Sequence, residues 1–297
     1  MKIENLAIIS GKNTTIKDGK IIYKPEYSEI NLTDISKPIS ADIRADQYFS
    51  QGILKFKFKA TNYDSGVVFI HDADQTKPTF IGLSYYQDCF IIHDKESNTD
   101  LRSGNLKKYE PNQEIEIRIE CFGSRCKLFV NNILFSESIY FSLKYLPIQF
   151  RITSTGDVIV YDIEVKSVKP KLFVVMQFTE EYNKLYEEVI YPITEKAGFE
   201  CVRGDDFFTS TPILKDIISS IEESTAIIAE ITPDNPNVFY EIGYSHAIKK
   251  PTILLCDKKR EKLPFDISGF RTLFYENSIA GKSKVEKSLQ KYLETIK

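Results

Sequence analysis

The chain of 297 residues has no tryptophan, two methionines, three histidines and five cysteines. Five scattered cysteines are too few for a disulfide framework, so reduced thiols and a cytoplasmic setting are expected. The lack of tryptophan removes the commonest side chain for stacking on sugar rings. No apolar stretch approaches the roughly 18 residues of a membrane span. Met1-Lys2-Ile3-Glu4-Asn5 lacks the basic-then-apolar order of a secretory signal. Neither sign of charge dominates: 39 Lys+Arg stand against 42 Asp+Glu, for a formal charge of -3. With no run of five or six like charges, a surface built mainly to hold nucleic acid or anionic lipid is disfavoured. At roughly 100–200 residues per domain, the length predicts two domains.

Up to about Val168 the chain reads as short β-runs separated by polar turns. Gly52-Ile53-Leu54-Lys55-Phe56-Lys57-Phe58-Lys59-Ala60 alternates apolar and basic residues, as a strand with one buried and one wet face does. Similar runs lie at 66–70, 80–86, 90–92, 114–120, 127–130, 148–152 and 158–165, and no helix of ten or more residues interrupts them. This predicts an antiparallel sandwich over residues 1–168. Cys121 and Cys126 flank the turn Phe122-Gly123-Ser124-Arg125 and read as structural residues of a hairpin rather than metal ligands. The Gly52 to Phe58 strand, Ser65-Gly66-Val67-Val68-Phe69, Lys127-Leu128-Phe129-Val130-Asn131-Asn132 and Val160-Tyr161-Asp162-Ile163-Glu164-Val165 together resemble the concanavalin-like or laminin-G-like jelly roll. That resemblance implies glycan binding or sugar hydrolysis as a family-level role. A sensing or interaction domain, open to a small-molecule or protein activator, is the preferred expectation.

At Lys166-Ser167-Val168-Lys169-Pro170-Lys171 a polar, proline-bearing linker is expected, and residues 169–297 form the second domain. Its periodicity is different. Leu172-Phe173-Val174-Val175-Met176 is continuously apolar, as in a parallel strand buried on both faces. Helical spacing follows over 180–196, then a strand at 199–202, a helix at 213–223, a strand at 226–231, a helix at 237–249 and a strand at 251–256; a closing helix is expected over 283–296. Alternation of strand and helix predicts a doubly wound α/β fold with a parallel sheet, whose ligands bind beyond the carboxyl ends of the strands. Function is therefore sought after Met176, Val202, Ile231 and Cys256.

The third of these segments is the informative one. Asp234 or Asn235 can cap a helix and Pro236 suits its first position, which places Glu241 in about the second turn. Three-and-four spacing puts Asn237, Val238, Glu241, Tyr244, Ser245 and Ile248 on one face. Phe239, Tyr240 and Tyr244 surround this carboxylate, where a wet face would carry Lys or Gln. The string from Ala229 to Ala247, reading Ala-Glu-Ile-Thr-Pro-Asp-Asn-Pro-Asn-Val-Phe-Tyr-Glu-Ile-Gly-Tyr-Ser-His-Ala, resembles TIR-like nucleotide-binding proteins, related in fold to nucleoside 2-deoxyribosyltransferases. Phe173 to Phe178, Arg203-Gly204-Asp205-Asp206, Lys250-Pro251, Pro264-Phe265-Asp266 and Arg271 support it. The resemblance implies a flavodoxin-like, TIR-like domain that cleaves an N-glycosidic bond, with Glu241 as the catalytic carboxylate. NAD would be the substrate and no further cofactor would be needed. It also implies a bacterial immune, anti-phage effector, homo-oligomeric and activated by ligand or assembly.

Further roles are expectations of the same reading. Asn237 and the helix N-terminus would bind ribose or phosphate oxygens, together with Asp234, Asn235 and Ser245. Phe178 or Phe207 would stack on a base, Arg203 would meet a phosphate, and Asp205 and Asp206 would grip a ribose. His246 lies one residue beyond the Glu241 face and reads as a packing residue. Ser10 to Thr15 reads as a turn, and His71-Asp72-Ala73-Asp74 with His93-Asp94 is set aside as a metal site. A non-catalytic nucleotide-binding module, and a nucleoside or nucleotide hydrolase or deoxyribosyltransferase, remain open alternatives.

Overall fold

The computed structural model describes residues 1–25, 40–71, 78–104, 109–141, 143–206 and 212–296. The chain divides into two compact units: Met1–Cys121 with Arg125–Val168, and Lys169–Lys297 with Phe122–Ser124.

The first unit is built of β1 (Leu6–Ser10), β2 (Thr14–Lys17), β3 (Lys20–Tyr23), β4 (Ser40–Phe49), β5 (Gly52–Ala60), β6 (Ser65–His71), β7 (Thr79–Ser84), β8 (Cys89–Asp94), β9 (Thr99–Ser103), β10 (Ile115–Phe122), β11 (Arg125–Val130), β12 (Ile133–Ser138), β13 (Leu146–Ser154) and β14 (Val158–Ser167). They form two seven-stranded sheets, ordered β1-β4-β13-β6-β7-β8-β9 and β12-β11-β10-β5-β14-β3-β2. The chain passes from one sheet to the other between β4, β5 and β6, and again between β12, β13 and β14. That exchange between antiparallel sheets makes the unit a jelly-roll sandwich.

The alternation in β5 works as read: Leu54, Phe56 and Phe58 are fully buried, while Lys57 on the other face pairs with Glu114 at 3.2 Å and Asp162 at 3.4 Å. Phe56 meets Phe150 of the facing sheet edge-on at 5.1 Å. Each phenylalanine so buried contributes about 1.5–3 kcal/mol. Gly52 starts β5 at φ +120°, and a Cβ there would lie 2.0 Å from the Lys166 carbonyl oxygen, so only glycine fits. Cys121 and Cys126 are buried free thiols with sulfurs 3.6 Å apart, which agrees with a structural hairpin pair. Asp72 and Asp74 lie outside the described residues. His71 is held by the Lys144 carbonyl at 2.8 Å, and no group of metal-ligating side chains occurs among the described residues.

The second unit runs β15 (Lys171–Val175), α1 (Glu180–Leu185), a π-helical turn (Tyr186–Ile190), α2 (Tyr191–Lys196), β16 (Glu200–Arg203), a 3-10 turn (Gly204–Asp206), α3 (Ile213–Glu223), β17 (Ala226–Glu230), α4 (Pro236–Ala247), β18 (Thr252–Asp257), a 3-10 turn (Phe265–Ile267), β19 (Thr272–Tyr275) and α5 (Ile279–Ile296). The five strands are parallel, in the order β16-β15-β17-β18-β19. Leu172, Val174, Ala226, Ile228, Ile253 and Leu255 pack with Tyr186, Ile190, Val285 and Leu289 in one core layer. The alternate strand residues face the other way, toward α3 and α4. Both sheet faces are therefore covered, which is why Leu172 to Val175 in β15 and Ala226 to Ala229 in β17 read as unbroken apolar runs. Among the described residues, no helix is long and apolar enough to cross a membrane.

Several boundaries differ from the periodicity. The helical stretch 180–196 contains the π turn because Pro192 offers no N–H and its ring crowds the turn before it. α4 stops at Ala247 rather than 249, since Lys249 turns left-handed at φ 57°. α5 starts four residues early, at Ile279, with the Ser278 hydroxyl accepting from the Gly281 N–H at 3.1 Å. β14 and β15 consume most of the expected linker and leave only Val168-Lys169-Pro170 between them. β19 is a fifth strand that four residues were too short to signal.

Candidate functional site

β15 and β17 are neighbours in space, yet β16 lies between them in sequence. The chain order reverses at that point, and a crevice opens beyond the carboxyl ends of the two strands. A cavity of about 440 Å³ occupies it, walled by Val175, Met176, Gln177 and Phe178 after β15, Gly204 after β16, Ile213, Leu214 and Ile217 of α3, and Asn235, Asn237, Val238, Tyr240 and Glu241 around the start of α4.

The start of α4 follows its sequence closely. Asn235 is the cap, its side-chain oxygen accepting from the Asn237 N–H at 3.0 Å, and Pro236 occupies the first turn. Val238 and Ile242 are buried beneath the helix and fix its roll, which turns Glu241 toward the cavity. Glu241 is half-buried, and among the described residues its carboxyl has no hydrogen-bond or ion-pair partner. Burial alone pushes its pKa up to about 7. A carboxyl near neutrality, at the apolar wall of a cavity, is equipped to change its charge during a reaction.

The expected site residues divide into two groups. Glu241, Phe178, Asn235 and Asn237 line the cavity. Asp234, Arg203, Asp205 and Ser245 do not. Asp234 extends into solvent and pairs with Arg260. Arg203 forks onto Asp205 and donates to Asn183 at 3.0 Å. Its guanidinium lies over the rings of Tyr186 at 4.4 Å and Phe178 at 5.3 Å. Its donors thus reach a carboxylate and an amide of its own chain. Ser245 is fully buried and donates back to the Glu241 carbonyl at 2.7 Å, so it packs inside the helix. Asp206 ends the 3-10 turn after β16, and Phe207 lies outside the described residues. His246 stacks on Phe270 at 3.9 Å, and burial pushes its pKa down.

Three features were not anticipated. The exposed Ile213 and Leu214 with Ile217 form an apolar wall on α3, which their helical spacing could have suggested. Glu230 is fully buried at the end of β17, where burial raises its pKa. It accepts from the Thr232 N–H and hydroxyl and from the Tyr275 hydroxyl at 3.0 Å. Arg260, beyond β18, donates to the Thr232 carbonyl at 2.8 Å as well as to Asp234. No local pattern marks Arg260, since its partners in the loop before α4 lie 26 to 29 residues away.

No family model matches the chain, and no curated protein matches it in sequence. Among solved structures it is similar to the carbohydrate binding module CBM66 from Bacillus subtilis, at 8% identity and a TM-score of 0.40, over 54% of this chain and 94% of that one. It is similar to the beta-glucanase of Bacillus licheniformis at 12% identity and a TM-score of 0.40, over 54% of this chain and 90% of that one. A prokaryotic beta-1,3-1,4-glucanase (lichenase) derived from a mouse hindgut metagenome shows 11% identity and a TM-score of 0.38, over 54% and 91%. These likenesses are too distant to speak to the chemistry of either unit.

Proposed function

We propose that the parallel-sheet unit is a TIR-like N-glycosidase of flavodoxin-like build, which cleaves the bond between nicotinamide and ribose in NAD. The observation that carries this reading is Glu241: one half-buried carboxyl, unpartnered among the described residues, at the mouth of the crevice between β15 and β17. Breaking the bond sends its electron pair to the pyridinium nitrogen and leaves positive charge on the ribosyl carbon. Ionised Glu241 stabilises that oxocarbenium-like centre or attacks it, and water then completes hydrolysis.

The lining suits a leaving group that is already cationic in the substrate. Its described residues hold a single carboxyl, Glu241, and no His, Lys, Arg or Cys, with the Tyr240 hydroxyl as the other side-chain O–H. Nicotinamide leaves from NAD already neutral and needs no proton, whereas a nucleoside base generally does. Phe178 offers a face for an aromatic ring, and Asn235 and Asn237 offer polar contacts to ribose or phosphate. The sandwich serves as the sensing or interaction unit of a homo-oligomeric bacterial defence effector, switched on by ligand or assembly.

The test is incubation with NAD, with and without a crowding agent, while nicotinamide release is measured; deoxynucleosides and nucleotide monophosphates are run in parallel. Release from NAD alone is the expected result. Tight nucleotide binding without turnover in every condition would replace the enzyme by a binding module. The pH profile tests Glu241 itself. Because the free enzyme must ionise this group, kcat/KM is expected to rise about tenfold per pH unit up to about 7 and level off above it. A profile flat from pH 5 to 8 would remove Glu241 from the chemistry.

A further inference from the structure

We propose that Arg260 is a positioning residue, a clamp that holds the loop between β17 and α4 and so sets where α4 presents Glu241. The proposal rests on the reading of Glu241 as the reacting carboxylate. The loop has only five residues, Ile231-Thr232-Pro233-Asp234-Asn235, and its last is the helix cap. The loop thereby anchors the first turns of α4, and loosening its path loosens them.

Arg260 grips the loop from one side. Its side chain is 9% exposed. One terminal nitrogen donates to the carbonyls of Ile231 and Thr232, the other to the Asp234 carboxylate, and Nε donates to the Lys262 carbonyl at 2.9 Å. The guanidinium therefore ties Ile231-Thr232 and Asp234 of the loop to its own turn, in a planar fork that no other side chain can reproduce. From the other side, Glu230 accepts the Thr232 N–H at 3.1 Å, and the Thr232 hydroxyl accepts the Asp257 N–H at 2.8 Å. Both carbonyls and the amide at the loop's entry are thereby committed to the ends of β17 and β18. Asp234, which the motif suggested for substrate, belongs to this clamp.

Positioning of this kind is read in turnover more than in affinity, because small misplacement of a reacting group costs up to about 10²-fold. Arg260→Met keeps the stem and removes the donors; Arg260→Lys keeps a charge without the fork; Asp234→Asn loosens one arm only. In full-length protein, Arg260→Met is expected to lower kcat on NAD about 30-fold with KM changed less than about threefold. Arg260→Lys should recover only part of that, and Asp234→Asn should lose a few fold. Hydrogen exchange supplies the readout that needs no activity. The amides of Val238 to Glu241 should exchange about tenfold faster in Arg260→Met, with those of Phe173 and Val174 in β15 unchanged.

Unchanged exchange in α4, or equal acceleration in β15, overturns the clamp whatever the kinetics show. Should Arg260→Met fail to fold, the same comparison in Arg260→Lys and Asp234→Asn decides. Faster exchange confined to α4 in Arg260→Met, together with a wild-type protein that never cleaves NAD, would leave the clamp standing and remove the NAD reading.

Discussion

Glu241→Gln is expected to lower nicotinamide release by about 10³-fold or more, with NAD binding changed only a few fold. The amide has the shape of the acid but cannot carry the negative charge that the ribosyl centre calls for. Since Asn235, Asn237 and Phe178 remain in place, the loss should fall in kcat. Turnover retained within tenfold would sink the catalytic assignment.

The same substitution is expected to stabilise the fold, and the sign follows from the pKa. Glu241 sits at about 7 when folded, against an ordinary value of 4.5. Between those values the folded chain holds more protons than the unfolded one, so stability falls as pH rises through that window. Above pH 7 the penalty is complete. Glutamine never ionises and escapes it. A fully dry site would make the difference roughly 3 kcal/mol, and water at the cavity mouth reduces it to about 1–2 kcal/mol. Denaturant midpoints of wild type and Glu241→Gln should coincide near pH 4 and separate by pH 8, the variant being the more stable. A gap of equal size at both pH values would contradict the burial account. Loss of activity with gain of stability is the mark of a group kept for its chemistry.

Gly204→Leu is expected to lower kcat/KM about 10²-fold, chiefly through KM, by filling the crevice. A Cβ at this position would lie 3.6 Å from the Phe178 ring and 3.8 Å from that of Phe173, ordinary contact distances. Gly204→Ala should therefore be tolerated within a few fold, while the branched end of leucine reaches into the 440 Å³ cavity that Gly204 lines. Equal kinetics for the two variants would place the substrate elsewhere.

How much could be read along the chain depended on the range of the signal. The β5 alternation and the apolar run of β15 are local consequences of burial on one face or two, and both were legible. So was the start of α4, because a cap followed by proline is a chemical requirement of the helix end itself. The strands β1 to β4 were missed where polar and exposed residues dilute the pattern, as in Leu6–Ser10 at a sheet edge.

The site divides along the same line. That a carboxylate would stand in the second turn of α4, beside aromatic residues and beyond the end of a buried parallel strand, follows from residues 226–241 read in order. Which charged groups stay free for a ligand does not. Folding brought Asn183 to Arg203, whose sequence neighbour Asp205 completes the pairing, and Arg260 to Asp234, because an unpaired charge at a partly buried position is costly. Strand order alone placed Gly204, Phe178 and α4 around one crevice, since neighbours in a sheet are chosen by packing across the whole unit and leave no trace in local periodicity.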